Sequence, residues 1–443
     1  MTASIIERPP EKIAQRCTEA FGQDRVLMAI GEHYRIADES QRVVALPHSI
    51  EELSEMLRFA ASERMCVIPA GAGTWLEMGN RPVRAHLVIS TAQMKRVLEY
   101  EPADLTATLE AGCALAEFNA RAAEHNQRIP LDPFGHTQST IGAIVATASH
   151  GPLRCAFGTP RDWVVGMRVA HIDGRITKAG GKVVKNVAGY DLCKLYTGSF
   201  GTLGIIGEIS FKLRALPATE RTMFFFGQDA ARLCALAARL MNSDVQPAAM
   251  ELFSLKFDGL RLEYGEGRFT LALRFISEPE TIDAQIVEAS RLGREFRQTV
   301  LSDDEARDFW RDYYEDESAE DWDIILRVSV LPSDTAMMIA EIGSTIPQAA
   351  LRVHAGNGII RVQAKSHTLA EFKKRQRPLR LAELRQHTHL RGGQMIILRL
   401  PPELKNQLDA WGDPGQTAPL MQALKKKFDP QSLLNPGRFV AGI

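Results

Sequence analysis

From position 132 the chain runs Asp132-Pro133-Phe134-Gly135-His136-Thr137-Gln138-Ser139-Thr140-Ile141-Gly142-Ala143-Ile144-Val145-Ala146-Thr147, and no Asp, Glu, Lys or Arg follows until Arg154. Hydroxyl groups and glycine meet at the start of a short helical segment of small residues, so hydrogen-bond donors and close backbone approach coincide. Such a segment lets a flat ring system lie against the backbone. A tightly packed buried helix needs small residues too, and local chemistry leaves the two readings level. The stretch is too rich in Gly, Ser, Thr, His and Pro to be a membrane helix. Glycine density stays high downstream, with 13 in the 75 residues from 133 to 207 against 33 in all 443. Ligand-hugging backbone and tight turns both produce that density.

Upstream, Ser49 with Glu52 three residues later forms a capping-box pattern, and Leu53, Met56, Leu57 and Ala60 follow at helical spacing. Residues 66–68, 86–90 and 105–109 read as strands, and residues 114–127 as a helix. The string Ile68-Pro69-Ala70-Gly71-Ala72-Gly73-Thr74 lies where a strand ends, and its small residues let successive amides converge on an anion such as a pyrophosphate. A Rossmann fingerprint needs glycine at 76, which is Leu76, and a P-loop needs a Gly-Lys pair, which is absent. An ordinary glycine turn satisfies the same string. Downstream, residues 164–172 and 175–178 flank Asp173-Gly174 as a hairpin, and residues 205–213 form a further strand. The Gly-rich text stops near Pro217-Ala218-Thr219. Beyond it, strand-like segments at 269–275, 323–330, 358–363 and 395–400 alternate with helical ones such as 229–241, the mixture of an α+β domain.

Composition narrows the function. Hydrophobic residues make up 45% and charged residues 24% of the chain, as in ordinary globular proteins. With 53 basic and 54 acidic residues the net charge is −1, so no global field draws a nucleic acid. The six cysteines are spread from Cys17 to Cys234 with no CxxC pair, which predicts neither a zinc or iron–sulfur site nor a disulfide framework. The opening residues carry charge where a signal peptide needs an apolar core, so the expected location is cytoplasmic, with no transmembrane segment. The acidic run 312–323 and the basic run 373–380 read as solvated faces or partner-docking patches.

Four segments in order, PAGAGT at 69–74, residues 132–166, GGKVVKNVAGYDLCKLYTGSFGTLGIIGEISFKL at 180–213 and FDPQSLLNPGRF at 428–439, resemble the vanillyl-alcohol-oxidase type of FAD-binding flavoprotein. Within it, GGKVVKNVAGYDL, Arg391-Gly392-Gly393, Trp411-Gly412 and NPGRF are most similar to the FAD-binding E-subunit family of glycolate oxidases. The resemblance implies an α+β fold: a two-subdomain FAD-binding domain holding the cofactor between its halves, and a C-terminal α+β cap domain over the flavin. The expected division is an N-terminal segment at 1–39, the FAD domain at 40–217, the cap at 218–427, and a terminal segment at 428–443 that returns to the FAD domain. Carried over residue by residue, the pyrophosphate loop falls on Ala70, Gly71, Ala72, Gly73 and Thr74. The second flavin segment falls on Pro133, Thr140, Ile141, Gly142, Thr147 and Gly151, and a late hydrophobic contact on Ile206. The sequence departs from the pattern at Ala143, where a second glycine is common, and at His150, where a small residue is usual. Relatives with a flavin-linked histidine carry it just before the hydroxyl of the first loop, where this chain has Gly73, so FAD is expected to be non-covalent.

The resemblance further implies oxidation of a small 2-hydroxy acid, glycolate to glyoxylate, with electrons leaving through flavin to an iron–sulfur subunit beside a second flavoprotein subunit. A self-sufficient FAD-dependent oxidoreductase for another hydroxy acid or alcohol, and a non-catalytic electron-relay subunit, are the rival readings. In the cap, Val353-His354-Ala355-Gly356-Asn357-Gly358-Ile359-Ile360-Arg361 resembles a worn metal-binding motif whose aspartate falls on Ala355 and whose second histidine falls on Ile359 or Ile360, so no metal is expected. His387 and His389 read as surface or packed histidines. Asn186, Gly189, Tyr190 and Asp191, with Lys182 and Lys185 beside them, suit either an anion-balancing cluster or a loop with Asp191 capping the next helix. No residue is assigned as the catalytic base.

Overall fold

The computed structural model describes residues 9–30, 34, 41–135, 139–181, 190–254, 268–319, 322–365 and 377–443. Two sheets built from the first half stand beside one large sheet from the second, which makes the fold α+β.

The first sheet has the strand order Val26–Ile30, Gln41–Ala45, Leu87–Ser90, Val67–Ala70, and its last three strands run parallel. The helix Ile50–Ser62 covers it with Leu53, Met56, Leu57 and Ala60, all buried. The Ser49 side chain accepts from the Glu52 N–H, but the Glu52 carboxylate turns to the His48 N–H and to Arg25. Only one half of the capping box therefore forms. The second sheet is antiparallel, in the order Val97–Glu101, Thr106–Glu110, Ile205–Lys212, Val164–Ala170, Ile176–Gly180. Its last pair is the hairpin expected at Asp173-Gly174, with Gly174 at φ 82°. The helix expected over 114–127 spans only Leu115–Ala123, because Asn126 turns left-handed at φ 55° and Gln127 enters a two-residue strand beside Ala215.

The third sheet is wholly antiparallel with eight strands, in the order Arg297–Leu301, Thr219–Gly227, Phe269–Ser277, Ala249–Ser254, Ala350–His354, Ile359–Ala364, Ile324–Ser329, Gln394–Arg399. Successive side chains alternate between its faces. One face is aliphatic: Met250, Leu252, Leu351, Val353, Ile360, Val362, Leu326 and Val328 pack under the helices Ala230–Met241, Pro279–Leu292, Thr335–Thr345 and Arg377–Leu390. The other carries the intervening residues, among them Glu251, Phe253, Arg352, His354 and Arg361. The helix Asp303–Ala319 lies over part of it with Phe309, Trp310, Tyr313 and Tyr314, and Phe134 of the first half joins the same cluster. Tyr313, Tyr314 and Trp322 are buried, so the acidic run 312–323 is not simply a solvated face. Residues 373–376 of the basic run 373–380 lie outside the described residues.

After the helix Ala418–Phe428, the chain returns to the first sheet. The Val67 N–H donates to the Leu433 carbonyl at 2.7 Å and the Asn435 N–H to the Val67 carbonyl at 2.8 Å, extending the sheet at its Val67–Ala70 edge. Buried Lys425 holds the turn: its Nζ donates to Asp429 Oδ2 at 2.7 Å, Leu434 O at 2.7 Å and Thr202 O at 2.9 Å. Asp429 Oδ2 also accepts the Leu434 N–H at 2.7 Å. Nearby, Phe200 and Phe439 stack with ring centroids 5.6 Å apart, and Trp411 meets both edge-to-face at 5.2 and 4.8 Å.

Candidate functional site

A groove, open to solvent, runs between the first two sheets. Ala70, Gly71, Gly73 and Thr74 form one end, where the strand Val67–Ala70 gives way to its loop. Gly73 has φ 90°, a left-handed backbone that glycine adopts without strain. The Ser90 hydroxyl donates to the Gly71 carbonyl at 2.8 Å and that of Thr91 to the Ala70 carbonyl at 3.4 Å, so these two acceptors are engaged by protein. Gly142, Ala143, Ala146 and Thr147, along the helix Ile141–Thr147, form a second wall, and Gly201, Gly204, Ile205 and Ile206 a third.

Of the residues singled out in the sequence, Ala70, Gly71, Gly73, Thr74, Gly142, Thr147 and Ile206 thus share one cavity. Ala72 sits in the same loop without lining it. Thr140 stands behind the wall: its hydroxyl accepts the Ala143 N–H, capping the helix, and a Cβ on Gly71 would come within 2.2 Å of that oxygen. Ile141 is buried in the second sheet's core. Pro133 and Gly151 are buried farther along, where a Cβ on Gly151 would meet the Asp132 carbonyl oxygen at 1.9 Å. That glycine lets two chain segments cross at Asp132. Lys182, Lys185, Asn186 and Gly189 lie outside the described residues, as do His136, Thr137 and Gln138; Asp191 caps the helix Leu192–Tyr196.

Asn435 and Arg438 of the closing NPGRF motif also line the cavity. Asn435 donates to the Phe200 carbonyl at 2.6 Å, and Arg438 donates through Nη2 to the carbonyls of Leu76 and Met78 at 2.5 and 2.6 Å. Arg438 Nε is buried with no protein partner, and burial lowers the guanidinium pKa to about 10. A glycine-walled, largely apolar groove with one buried cationic donor fits a flavin dinucleotide, whose flat rings need close backbone and whose phosphates need donors.

Beyond Thr147 the cavity helix leads to a buried polar cluster against the eight-stranded sheet. Register places Glu251 directly across from His354, and Arg352 directly across from Arg361. His354 Nδ1 lies 2.6 Å from Glu251 Oε1, and the Tyr313 hydroxyl donates to Glu251 Oε2 at 2.9 Å. The guanidinium of Arg352 stacks on Tyr313 at 4.8 Å and on Phe134 at 5.3 Å, and that of Arg361 on Phe134 at 4.9 Å. The Arg154 Nη1 donates to His150 Nε2 at 2.7 Å, and the His150 ring lies 5.9 Å from that of His354. Burial holds His150 well below the usual histidine range and pushes Tyr313 and Tyr314 well above the usual tyrosine range; it also lowers Arg361 to about 9. The sequence signal for this cluster was available: in MELF, LRVH and IIRVQA every second residue belongs to the aliphatic core, yet the intervening ones include Glu251, Arg352, His354 and Arg361. A charge that recurs at strand period on a buried sheet marks a polar interface.

Asp132 links this cluster to the FAD-side segment. The Tyr314 hydroxyl donates to its Oδ2 at 2.6 Å and the Leu153 N–H to the same oxygen at 2.8 Å, while burial raises its pKa to about 6. Folding thus favours the protonated form, so this contribution to stability is whole below about pH 4 and is lost as pH rises through about 6, by on the order of 3 kcal/mol. Asp132→Asn keeps the acceptor but cannot ionise. Its Tm relative to the parent is expected to climb between pH 4 and 7, and parallel melting curves across that window would contradict the assignment.

Residues 41–180 match the FAD binding domain family, and residues 412–439 match the C-terminal domain of FAD linked oxidases. This chain is an FAD-dependent oxidoreductase, and its fold is that of the vanillyl-alcohol-oxidase type. It is 25% identical over 416 residues to glycolate oxidase subunit GlcD of Bacillus subtilis, covering 90% of this chain and 88% of that protein. It is 32% identical over 180 residues to D-2-hydroxyglutarate dehydrogenase of Xanthomonas citri pv. viticola, a match covering 41% of this chain and 38% of that protein. Among solved structures, substrate-bound p-cresol methylhydroxylase superposes with a TM-score of 0.76 at 15% identity, over 98% of this chain and 96% of that one, a likeness of fold. Among the described residues of this flavoprotein, no helix is long and apolar enough to cross a membrane, and no three His, Cys, Asp or Glu side chains converge as a metal site. His387, on the helix Arg377–Leu390, pairs through Nδ1 with Glu341.

Proposed function

We propose that this flavoprotein is the FAD-binding, E-type subunit of a cytoplasmic glycolate oxidase complex, oxidising glycolate or a close 2-hydroxy acid to the 2-oxo acid. The observation that carries the reading is the cation-rich wall beyond the cavity helix, where Arg352 and Arg361 flank Phe134 on a buried sheet face. Guanidinium groups held rigid by stacking suit a small carboxylate, which offers two oxygens and little apolar surface. When bound, FAD supplies the two-electron acceptor. For this reading Ala70, Gly71, Ala72, Gly73 and Thr74 cradle the pyrophosphate, and Gly142, Thr147 and Ile206, backed by Pro133, Thr140, Ile141 and Gly151, face the ring system. Arg438 adds a cationic donor at the same cavity. Similarity over most of the chain to a protein named as a glycolate oxidase subunit supports a place in a multi-subunit complex. The match to a D-2-hydroxyglutarate dehydrogenase supports the hydroxy-acid class.

Onward electron transfer is assigned to an iron–sulfur subunit beside a second flavoprotein subunit, since the six cysteines of this chain are dispersed and free. Anaerobic mixing of the FAD-loaded chain with glycolate, and separately with D-lactate, tests the reading. Loss of the oxidised-flavin absorbance is expected with one of them, while steady turnover on the order of 10 per second should require the iron–sulfur partner. A flavin that no 2-hydroxy acid reduces, alone or in the complex, would sink it.

A further inference from the structure

Resting on that functional reading, we infer that Glu251 and His354 form the proton-accepting pair of the site, with His150 as a hydrogen-bond donor across from it. Three observations lead there. The first is orientation. An ionised carboxylate only accepts hydrogen bonds, so the 2.6 Å contact between His354 Nδ1 and Glu251 Oε1 places the imidazole proton on Nδ1. The neutral ring then keeps its lone pair on Nε2. Antiparallel register fixes the pair, because Glu251 and His354 lie directly opposite on adjacent strands, and the Tyr313 hydroxyl holds the second carboxylate oxygen at 2.9 Å. A carboxylate behind a histidine both fixes the tautomer and stabilises the imidazolium that forms when the ring takes a proton.

The second observation is the tautomer of His150. A guanidinium cannot accept a hydrogen bond, so Arg154 Nη1 donates to His150 Nε2 at 2.7 Å and the neutral ring carries its proton on Nδ1. That Nδ1 is buried with no protein partner. A buried donor without a partner costs about 1–3 kcal/mol, which a ligand oxygen repays. The third is placement. His150 follows the helix Ile141–Thr147, whose residues line the cofactor cavity, and its ring lies 5.9 Å from His354; Phe134 stacks parallel to His354 with centroids 6.3 Å apart, at an interplanar angle of 14°. The two histidines therefore present opposite capabilities, one lone pair and one N–H, beside the strands that carry Arg352 and Arg361.

In the reaction so assigned, the substrate O–H bond breaks and its proton passes to His354 Nε2. The electrons of that bond become the second bond of the new C=O. The C2–H bond breaks with its electron pair, for which FAD, when bound, would supply the hydride acceptor. His150 Nδ1–H donates to a substrate oxygen throughout. Glu251 acts through His354 and is a positioning residue.

The test follows flavin reduction in a single anaerobic turnover with glycolate and D-lactate, using the FAD-loaded chain and its native complex. His354→Gln is expected to retain FAD while reduction slows by on the order of 10²–10⁴-fold. Glu251→Gln is expected to slow reduction less and to move the acid limb of the pH–rate profile to lower pH, because imidazolium loses its counter-charge; a merely structural glutamate would not move that limb. If His354→Gln keeps its FAD and is reduced within about threefold of the parent rate, the pair is not the base, and the functional reading stands. Should His354→Gln lose FAD, the Glu251→Gln limb decides, and an unmoved limb overturns the proposal. A parent that neither acid reduces overturns the functional reading first.

Discussion

Gly142→Val is expected to emerge from purification with most of its FAD missing. A Cβ at position 142 would stand 2.7 Å from the Ala111 Cβ and 2.9 Å from the Ala111 carbonyl oxygen, the same oxygen that accepts the Gly142 N–H at 2.9 Å. Backbone is on the receiving side, so the helix Ile141–Thr147 must move away from the second sheet, and its other face is a wall of the cofactor cavity. Overpacking of this kind costs about 1–3 kcal/mol, and if that cost falls on the bound form, affinity drops by about tenfold to a hundredfold. The flavin is thus excluded through the helix behind it rather than by a side chain occupying its place. Fluorescence titration of the apoprotein reads the effect directly. Gly343→Ala, in the helix Thr335–Thr345 with no atom within 4 Å of its added methyl, is the control and should be neutral or slightly stabilising. Stoichiometric FAD in the valine variant, at unchanged affinity, would remove that helix from the cofactor site.

Lys425→Met should be the most destabilising single change outside the cavity. The ammonium is almost fully enclosed at 5% exposure and satisfies two carbonyls and a carboxylate, while Asp429 beneath it is at 0%. Burial alone pulls the lysine pKa down, and the aspartate partly restores it. Taking the cation away leaves a buried carboxylate with only the Leu434 N–H against its Oδ2, a loss of about 3–5 kcal/mol for a broken buried pair. The double change Lys425→Met with Asp429→Leu should recover part of it, because the stranded charge is gone. Chemical denaturation of the apoprotein measures both, and a single variant that loses less than about 1 kcal/mol would show water reaching the pair.

How far the sequence reaches can be judged from particular residues. The cofactor loop at 70–74 and the helix at 141–147 are legible because glycine and alanine there answer a local demand, backbone that must come close to something. The same holds for the Asp173-Gly174 hairpin and the capping Ser49. The polar face at Glu251, Arg352, His354 and Arg361 is harder, since its meaning depends on which strands become neighbours. Glu251 and His354 lie 103 positions apart, and only the pairing of their strands makes them a couple. The local string around His354 resembles a metal motif lacking ligands at Ala355 and Ile359, whereas the carboxylate that meets His354 comes from a distant strand. Arg438 was hidden for a related reason: nothing in NPGRF says that its guanidinium will reach back to the carbonyls of Leu76 and Met78.

The return of the terminal segment bears on when this protein can acquire its cofactor. Leu433 and Asn435 close the open edge of the first sheet, and Asn435 and Arg438 complete the cavity wall. During synthesis the loop at 70–74 and the helix at 141–147 leave the ribosome hundreds of residues before the groove they share has its last side, and for that interval the Val67–Ala70 strand has an unpaired rim. The cradle is therefore complete only once Arg438 has been made, and a nascent chain ending before Leu433 carries it half-built beside an open strand edge.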